Sequence, residues 1–342
     1  MSVNAVSSVK LSLGEAEALV ADALTASGAS PANAASTACA LVAAEADGQF
    51  GHGLSRVPSY AAQVKAGKID GRATPALTHT RSATVRIDAK GGFAYPALDL
   101  AIESLDPLAR EAGVAAAGVF ASHHIGQAGR SVERLADRGL VALIVSNTPR
   151  AMAFQGGARP MMGTNPLAFA APIEGRAPLV IDLALTLVAR SKIVAAQKAG
   201  QSIPLDWAYD AEGRPTIDPA AALAGALAPA GGAKGAALAL MVEVLCGALA
   251  GGLYGWEASS FLDDKNASPA VGQMILALDP MAFAGADFPA RMAALAATMT
   301  EEEGVRLPGD RRLAARDRAA ADGLAIAPAL HAEILTLAGA AA

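Results

Sequence analysis

Three of the five histidines stand in glycine-rich stretches, where side chains able to move a proton could approach a ligand. His52 lies between two glycines in GHGLSR, and Arg56 ends that motif. His124 follows an apolar run and precedes a glycine turn in SHHIGQAGR. Because imidazole titrates near neutral pH, either histidine could give or take a proton, and a guanidinium can bind a carboxylate through two parallel hydrogen bonds. A loop histidine and a surface arginine without function are the alternatives that such short motifs leave open.

Small and polar residues elsewhere could contact a cofactor. The stretch GGARPMMGTNP, residues 156–166, offers backbone N–H groups that could meet phosphates or an amide. Asp182 ends the strand-like run PLVID, and Lys234 stands among glycines just before a helix. Their spacing is not that of a Walker motif, and no G-x-G-x-x-G follows a strand, so the sequence does not predict a Rossmann domain. An ordinary glycine-rich loop is the alternative.

The overall composition excludes several classes of function. The chain has 342 residues, of which 53% are hydrophobic and 17% charged, which indicates a globular protein with a sizeable core. A net charge of −5 without a basic block argues against nucleic acid or an anionic membrane as a partner. Residues 1–30 lack a signal-peptide pattern, and Glu243 interrupts the longest apolar run, residues 235–256. We therefore expect a cytoplasmic protein in which that run forms a buried helix.

The two cysteines, Cys39 and Cys246, lie in apolar runs of helical appearance. We expect buried free thiols there rather than a disulfide or a metal site. No set of histidine and acidic residues has metal-ligand spacing either, so the sequence predicts no bound metal.

The elements that must position these residues follow from periodicity and turn residues. Ser12 and Glu15 are predicted to form a capping box at the first helix. Ser30 is expected to begin the second helix, and Ser55 to cap the third. Alternation or short apolar runs predict strands at ATVRID, VAAAGVFAS, VALIVSN, PLAFAAP, PLVIDLA and GQMILALDP. Helices therefore flank a central region of strands and helices, in a mixed α/β or α+β fold.

Several stretches, spread over about residues 10 to 330, occur in the same order as in one known family. They resemble the malate/L-lactate dehydrogenase family that is distinct from the Rossmann-type lactate and malate dehydrogenases. That family also includes sulfolactate dehydrogenase, ureidoglycolate dehydrogenase, diketogulonate reductase and the Δ1-piperideine/Δ1-pyrroline-2-carboxylate reductases. The stretches are GHGLSRVPSY, SHHIGQAG, GGARPMMGTNPLAFAAP, VIDLALTLVARSKI, IPLDWAYDAEGRPTIDP, LAPAGGAKGAALAL and RLPGD. One such stretch would be weak evidence, whereas the whole ordered set is specific.

The resemblance implies an α+β fold in place of a Rossmann fold. The implied cofactor domain, residues 76–290, is built on a largely antiparallel sheet, and a helical domain combines residues 1–75 with residues 291–342. An intertwined homodimer is implied as well. The implied activity is hydride transfer between NAD(P)H and a small 2-oxo or 2-hydroxy acid of the malate, lactate or sulfolactate type. Reduction of a cyclic imino acid is the alternative within enzymes, and a non-catalytic cofactor-binding relative is the alternative outside them.

The resemblance also implies roles for single residues. His52 and His124 each match a histidine that acts as acid or base in some members, and Arg56 matches the arginine that binds the substrate carboxylate. The positions that match cofactor contacts are Asn147, Thr148, Met162, Gly163, Thr164, Asn165, Asp182, Leu183, Ala184, Lys234, Pro308, Gly309 and Asp310. NAD and NADP both remain open, because Arg190 and Lys192 could bind a 2′-phosphate but their placement does not follow from sequence.

The sequence departs from the family pattern near both histidines. Gly51 stands where the family usually has a serine that contacts substrate, and Ile125 replaces a phenylalanine after His124. His123 is expected to be a neighbour without a catalytic role. LALTLVARSK after Asp182, together with WEASSFLDD, is most similar to the sulfolactate dehydrogenase branch.

Overall fold

The structure, a computed structural model, describes residues 8–339. Within these residues the α-helices, α1 to α11 in chain order, span Leu13–Ala26, Pro31–Ala46, Val57–Lys65, Ala94–Ala112, Ala128–Ala136, Arg190–Lys198, Pro219–Ala224, Ala233–Glu243, Phe288–Met299, Asp310–Asp322 and Pro328–Leu337. The strands, β1 to β13, span Val9–Leu11, Ala76–Arg81, Thr84–Asp88, Val114–Ser122, Val141–Ser146, Met152–Ala153, Pro160–Met162, Leu167–Ile173, Arg176–Leu183, Ala208–Tyr209, Ala226–Leu227, Val271–Leu278 and Leu324–Ile326. The predicted strands correspond to β3, β4, β5, β8, β9 and β12, whereas β2 and the shortest strands lack a sequence signal.

A seven-stranded sheet forms the centre of the molecule, in the order β2-β3-β4-β12-β5-β8-β9. Within residues 8–339, β3 and β4 are its only parallel neighbours. Successive side chains point to opposite faces of a strand. Ile144 and Ile275 accordingly pack with α4 and α5, whereas Val145 and Met274 pack with α8 on the other face. Burial on both faces explains why β5 and β12 are nearly continuous apolar runs.

The two chain ends meet in one helical layer. β1 pairs antiparallel with β13, and Val9 lies opposite Ile326. Helices α1, α2, α3 and α11 share an apolar cluster that includes Leu24, Leu41 and Tyr60. This layer and the largely antiparallel sheet confirm the α+β fold with helices from both chain ends. The boundaries between the domains stay a prediction.

The first two helices begin as their sequences predict. The Ser12 hydroxyl accepts a hydrogen bond from the Glu15 backbone N–H at 3.3 Å, and the Glu15 carboxylate accepts one from the Ser12 N–H at 2.8 Å. At α2, the Ser30 hydroxyl accepts from the Asn33 N–H at 3.3 Å. Both caps depend on residues within one turn of the helix, which is why the sequence suffices to predict them.

The prediction that Ser55 caps the third helix is wrong. A 3-10 turn, Leu54–Arg56, precedes α3, which begins at Val57. The Ser55 hydroxyl instead donates to the Phe50 carbonyl at 2.5 Å. The chain therefore enters α3 through a turn closed by backbone hydrogen bonds, and no side-chain cap is needed there.

The apolar run at residues 235–256 is helical as far as Leu249, as predicted, but the prediction that this helix is buried is wrong for its outer side. Helix α8 ends at Glu243, and one π-helical turn, Val244–Leu249, follows. Only the side toward the sheet packs, and Leu240 and Leu249 expose 46% and 65% of their surface. Across residues 8–339, no helix has the length and apolar character needed to cross a membrane.

The two cysteines differ in their surroundings. Both are free, but Cys246 is buried whereas Cys39 is exposed, so the prediction of a buried thiol is wrong for Cys39. Helix α2 turns Ala38 and Leu41 into the apolar cluster and leaves Cys39 on its outer face. The buried face of α2 also carries Asn33, Thr37 and Glu45, so polarity along the sequence does not show which face points outward.

Candidate active site

A cleft of about 730 Å³ opens where the end of α2, the segment between β4 and α5, the end of β9 and the start of α10 meet. This volume lies in the range of small-molecule and cofactor pockets. Its lining residues are Asp47, Gly48, Gln49, His52, His124, Ile125, Gly126, Gln127, Gly129, Thr148, Thr164, Pro166, Val180, Ile181, Asp182, Leu183, Ala184, Pro308, Gly309, Arg311, Arg312 and Ala315. The cleft thus joins segments that are far apart in sequence.

His52 and His124 come together in this cleft. Their rings stack with centroids 5.2 Å apart and 19° between the ring planes. His124 follows the end of β4, whereas His52 stands in the turn that leads out of α2. The ring of Phe261 packs against His124 with a centroid distance of 5.1 Å. His124 therefore touches an apolar wall as well as the cleft.

Two glycines are needed to bring the histidines to this position. A Cβ at Gly53 would collide with the side chain of Glu45, and a Cβ at Gly126, where φ is +70°, would collide with the Tyr95 hydroxyl. At Gly51 a Cβ would meet no atom within 4 Å. A serine at that position would fit, so the departure from the family pattern is not forced by packing.

A buried hydrogen-bond chain supports His124 from behind. The Tyr60 hydroxyl lies 2.7 Å from Nδ1 of His124 and 3.2 Å from the Tyr95 hydroxyl. Burial raises the pKa of both tyrosines, so both keep their protons at neutral pH. The hydrogen bond between the Tyr60 hydroxyl and Nδ1 therefore fixes the orientation of the His124 ring.

Both cleft histidines are neutral in the protein without substrate. Burial, and secondly the charge of Arg56, lowers the pKa of His52 to about 4. The same two causes, in the same order, hold the pKa of His124 well below its usual value. A negative charge bound next to Arg56 would oppose the second cause and raise both pKa values.

Arg56 stands next to the histidines but is not among the residues that line the cleft. It is half-buried, and its Nε donates to the Gly51 carbonyl at 2.6 Å, which orients the guanidinium. None of the ion pairs within residues 8–339 includes Arg56. Its positive charge is therefore available to an anionic ligand.

His123 lies behind the site and does not line the cleft. Its Nε2 is 2.8 Å from Oε1 of Gln63, whose amide donates to the Phe261 carbonyl at 3.0 Å. The buried Lys68 donates to the Ser260 carbonyl at 2.7 Å. Together these bonds hold the loop that places Phe261 on the histidines. Gln63 and Lys68 were not predicted from the sequence to support the site. The available signal was that these two polar residues stand near the end of α3.

The residues expected to contact the cofactor fall into two groups. Those that line the cleft are Thr148, Thr164, Asp182, Leu183, Ala184, Pro308 and Gly309. Those that the structure places outside its walls are Asn147, Met162, Gly163, Asn165, Lys234 and Asp310. Some of the second group act on the cleft through their neighbours.

Asn147 and Asn165 are buried and bind the carboxylate of Glu243. Their side-chain amides donate to it at 3.1 Å and 2.9 Å, and the Gly255 N–H donates to it at 3.1 Å. Asn165 also accepts a hydrogen bond from the Thr148 N–H at 3.2 Å. The asparagines therefore brace the loops that bring threonines to the cleft. Glu243 was missed as a functional residue, although a lone carboxylate in an apolar run signals a buried polar contact.

The polar wall of the cleft suits an amide or hydroxyl groups. The Thr164 N–H donates to the Thr148 hydroxyl at 2.9 Å, and a Cβ at Gly163 would collide with Thr148. The Asp182 carboxylate accepts from the Gly129 N–H at 2.7 Å, at the first turn of α5. These hydroxyls and this carboxylate fit a nicotinamide cofactor. Within residues 8–339, no cluster of three or more His, Cys, Asp or Glu side chains could hold a metal ion.

A buried ion cluster closes one end of the cleft. Arg312 and Arg316 of α10 both bind Asp47, which caps the C-terminus of α2, and Glu133 of α5. Hydrogen bonds from both arginines lower the pKa of Glu133 to about 2, against the opposing effect of its burial. The sequence reasoning missed this cluster. The spacing of the two arginines, which puts them on one helix face, was the available signal.

Comparison with known proteins agrees with this architecture. A sequence profile of the malate/L-lactate dehydrogenase family matches residues 11–335. The (2R)-3-sulfolactate dehydrogenase (NADP(+)) of Chromohalobacter salexigens is 51% identical over 306 residues, which cover 90% of this chain and 91% of that protein. The Δ1-pyrroline-2-carboxylate reductase of Ancylobacter novellus is 38% identical over 332 residues, with 96% and 97% covered. The structure of Δ1-piperideine-2-carboxylate reductase from Pseudomonas syringae pvar. tomato has a TM-score of 0.91 at 37% identity and covers 96% of this chain and 99% of its own.

Proposed function

Because the chain belongs to the malate/L-lactate dehydrogenase family and is an NAD(P)-dependent oxidoreductase, we propose that it interconverts a 2-hydroxy acid of the sulfolactate type and its 2-oxo acid with NADP. The observation that carries this substrate class is the 51% identity to an NADP-dependent sulfolactate dehydrogenase over 90% of the chain. A cleft with two neighbouring imidazoles supports it. The presence of His52 and His124 in one cleft, with Arg56 beside it, argues against a non-catalytic binding protein.

The chemistry divides between the cofactor and the protein. The reduced nicotinamide, when bound, supplies a hydride to C2 of the substrate. Thr148, Thr164, Asp182 and the turn at Gly309 would hold the cofactor in the cleft. The protein must then hold the substrate carboxylate, for which Arg56 is oriented, and provide a proton for the C2 oxygen, a step worth about 10²–10⁴-fold in rate.

Preference for NADP needs a cation at the 2′-phosphate. Neither Arg190, which donates to the Leu223 carbonyl at 3.0 Å, nor Lys192 lines the cleft. Arg311 does line it and is exposed. We propose Arg311 as the phosphate contact. Arg311→Gln should raise the KM for NADPH by roughly tenfold or more, since a charged hydrogen bond is lost, and leave the KM for NADH unchanged.

Reduction of a cyclic imino acid is the second candidate. It is favoured by the 38% identity to a Δ1-pyrroline-2-carboxylate reductase and by the near-complete structural match to a Δ1-piperideine-2-carboxylate reductase. An imine nitrogen receives hydride and proton in the same way as a carbonyl oxygen. The site geometry therefore suits both reactions, and substrate identity must come from assay.

The enzyme is also proposed to act as a homodimer in the cytoplasm. The support for a dimer is a group of exposed apolar side chains on α8 and the π-helical turn, a surface that a second subunit would cover. These residues are Leu238, Leu240, Met241, Val244 and Leu249. A cofactor that must be regenerated by metabolism fits a cytoplasmic enzyme.

A spectrophotometric screen tests the proposal. The purified protein would be offered NADPH or NADH with sulfopyruvate, oxaloacetate, pyruvate or Δ1-pyrroline-2-carboxylate, and the loss of reduced-nicotinamide absorbance followed. The highest kcat/KM is expected for sulfopyruvate with NADPH. A higher value for the cyclic imine would replace the proposed substrate class with the second candidate, and no turnover with any pair would contradict both.

A further inference from the structure

The loops that carry the two threonines of the cleft are in direct contact. The Thr164 N–H donates to the Thr148 hydroxyl at 2.9 Å, and a Cβ at Gly163 would collide with that hydroxyl. A Cβ at Gly255, in a third loop, would lie 2.9 Å from the Thr148 carbonyl oxygen. Because glycines let these backbones approach so closely, the spacing between the loops depends on hydrogen bonds.

Each threonine has a buried asparagine next to it whose amide orientation is fixed by its partners. Asn165 donates from Nδ2 to the Ala239 carbonyl at 3.0 Å, so its Oδ1 is the atom that accepts from the Thr148 N–H. Asn147 likewise donates from Nδ2 to the Leu253 carbonyl at 2.7 Å. Each amide therefore has one N–H left for a further acceptor.

Asn165 also holds the backbone in an uncommon conformation. Its φ is +39°, in the left-handed region that a residue other than glycine seldom adopts. The residue is completely buried, and its side chain makes three hydrogen bonds. A conformation of this kind persists when the surrounding contacts enforce it. The course of the chain directly after Thr164 therefore depends on the partners of the Asn165 amide.

The remaining N–H of each asparagine donates to the carboxylate of Glu243. Its Oε1 accepts from Asn165 at 2.9 Å, and its Oε2 accepts from Asn147 and from the Gly255 N–H, both at 3.1 Å. Glu243 exposes 2% of its surface and takes part in none of the ion pairs within residues 8–339. All three partners donate, which suits an ionised carboxylate because its oxygens only accept hydrogen bonds. One buried anion thus joins three loops.

Resting on the function proposed above, in which the threonines hold the cofactor, we propose that Glu243 is a positioning residue for NADP(H) binding. Its carboxylate acts through the two asparagines, which fix the Thr148 and Thr164 hydroxyls in the wall of the cleft. Glu243 itself does not line the cleft. Loss of its carboxylate therefore weakens cofactor binding and leaves the rate at saturating cofactor nearly unchanged.

Glu243→Gln tests this role, because it keeps the size of the side chain and replaces one acceptor by a donor. In either orientation of the glutamine amide, its NH₂ group faces a donor: Asn165 on one side, or Asn147 and Gly255 on the other. Titration followed by NADPH fluorescence should give a Kd about tenfold above wild type, the effect of one lost hydrogen bond to a charged group, with kcat within about threefold. Glu243→Asp, which keeps both accepting oxygens, should have an intermediate Kd. A wild-type Kd in Glu243→Gln would overturn the inference.

Amide hydrogen exchange tests the same inference without cofactor or substrate. In Glu243→Gln the Thr148 and Thr164 N–H groups should exchange at least about tenfold faster than in wild type, because the asparagine that accepts from Thr148 is released. Exchange rates that are unchanged at both threonines, or raised equally at all buried amides, would contradict a positioning role.

Glu257→Gln is the matched control for both measurements. Glu257 also accepts a backbone N–H, that of Tyr254 at 2.9 Å, but it is exposed and lies outside the network around Glu243. This variant should retain the wild-type Kd for NADPH and the wild-type exchange rates at both threonines. If wild type binds neither NADPH nor NADH, the proposed function fails, and the exchange rates alone then decide whether Glu243 holds the loops.

Discussion

His52 is held in its neutral form by its burial and, secondly, by the positive charge of Arg56. Its pKa of about 4 keeps it neutral in the free protein, and burial and Arg56 are the causes. Between pH 6.5 and about 4, the unfolded chain binds a proton at His52 more readily than the folded chain does. Acid in this range therefore favours unfolding, and the contribution of His52 to the stability of the fold increases as the pH rises from about 4 to 6.5. An anion bound next to Arg56 would oppose the second of these causes and raise the pKa of His52.

A serine at position 51 is a residue-scale test of substrate choice. A side chain at Gly51 meets no atom within 4 Å, and its φ is not positive. We expect Gly51→Ser to change the free energy of unfolding by less than about 0.5 kcal/mol and to alter the ranking of substrates. Urea unfolding and the substrate panel measure the two effects.

Gly53→Ser is the control from the same motif. Its Cβ would collide with Glu45, so we expect a loss of about 1–3 kcal/mol in the free energy of unfolding. Equal stability of the two variants would show that the tight approach at Gly53 is not required. An unchanged substrate ranking in Gly51→Ser would remove position 51 from the specificity determinants.

Among the secondary-structure elements, α10 is held to α2 and α5 by buried ion pairs, in addition to the apolar contact that Ala319 makes with the cluster around Leu41. Arg312 and Arg316 share Asp47 and Glu133, which are almost completely buried. The turn at Gly309, directly before α10, lines the cleft. The cluster therefore couples the position of a C-terminal helix to the shape of the cofactor site.

The cluster predicts a loss of stability in acid. The pKa of Glu133 falls from 4.5 to about 2 in the folded protein. Its contribution is therefore complete above about pH 4.5 and is lost as pH falls toward 2. Glu133→Gln should lower the free energy of unfolding at neutral pH by about 3–5 kcal/mol and flatten the acid dependence, measured by urea unfolding at several pH values.

Glu103→Gln is the matched control for the ion cluster. Glu103 pairs with Arg138 at the surface, and such exposed pairs contribute about 1 kcal/mol or less. A loss in Glu133→Gln no larger than that in Glu103→Gln would contradict the importance of the buried cluster.

For the molecule as a whole, the outer side of α8 and the π-helical turn that follows it carry a group of exposed apolar side chains. Leu249 exposes 65% of its surface next to other exposed apolar side chains. Leu249→Glu should convert the proposed homodimer to monomer or weaken it at least tenfold, because a buried charge without a partner is costly. Light scattering over a range of concentrations measures this. Ile217→Glu, at an apolar residue outside α8 that exposes 55% of its surface, should leave the mass unchanged.

Most of the long strands, the starts of the first two helices and the candidate site motifs could be predicted from short stretches of sequence. The runs that became β4, β5 and β12, the caps at Ser12 and Ser30, and the motif of His52 with Arg56 depend on residues close together in the chain. Periodicity and capping act over a few residues, which is why these features could be read directly. The order of motifs also identified the family and so its α+β fold.

Which of these residues share a surface became clear from the three-dimensional arrangement. It turned Asn147 and Asn165 toward Glu243, left Lys234 outside the cleft, and stacked His52 on His124. Each of these outcomes depends on contacts between segments far apart in sequence, where burial, close approach at a glycine and the pairing of charges select one arrangement. Local patterns contain no information about such contacts, so the set of residues that share the cleft could be identified only once the fold was known.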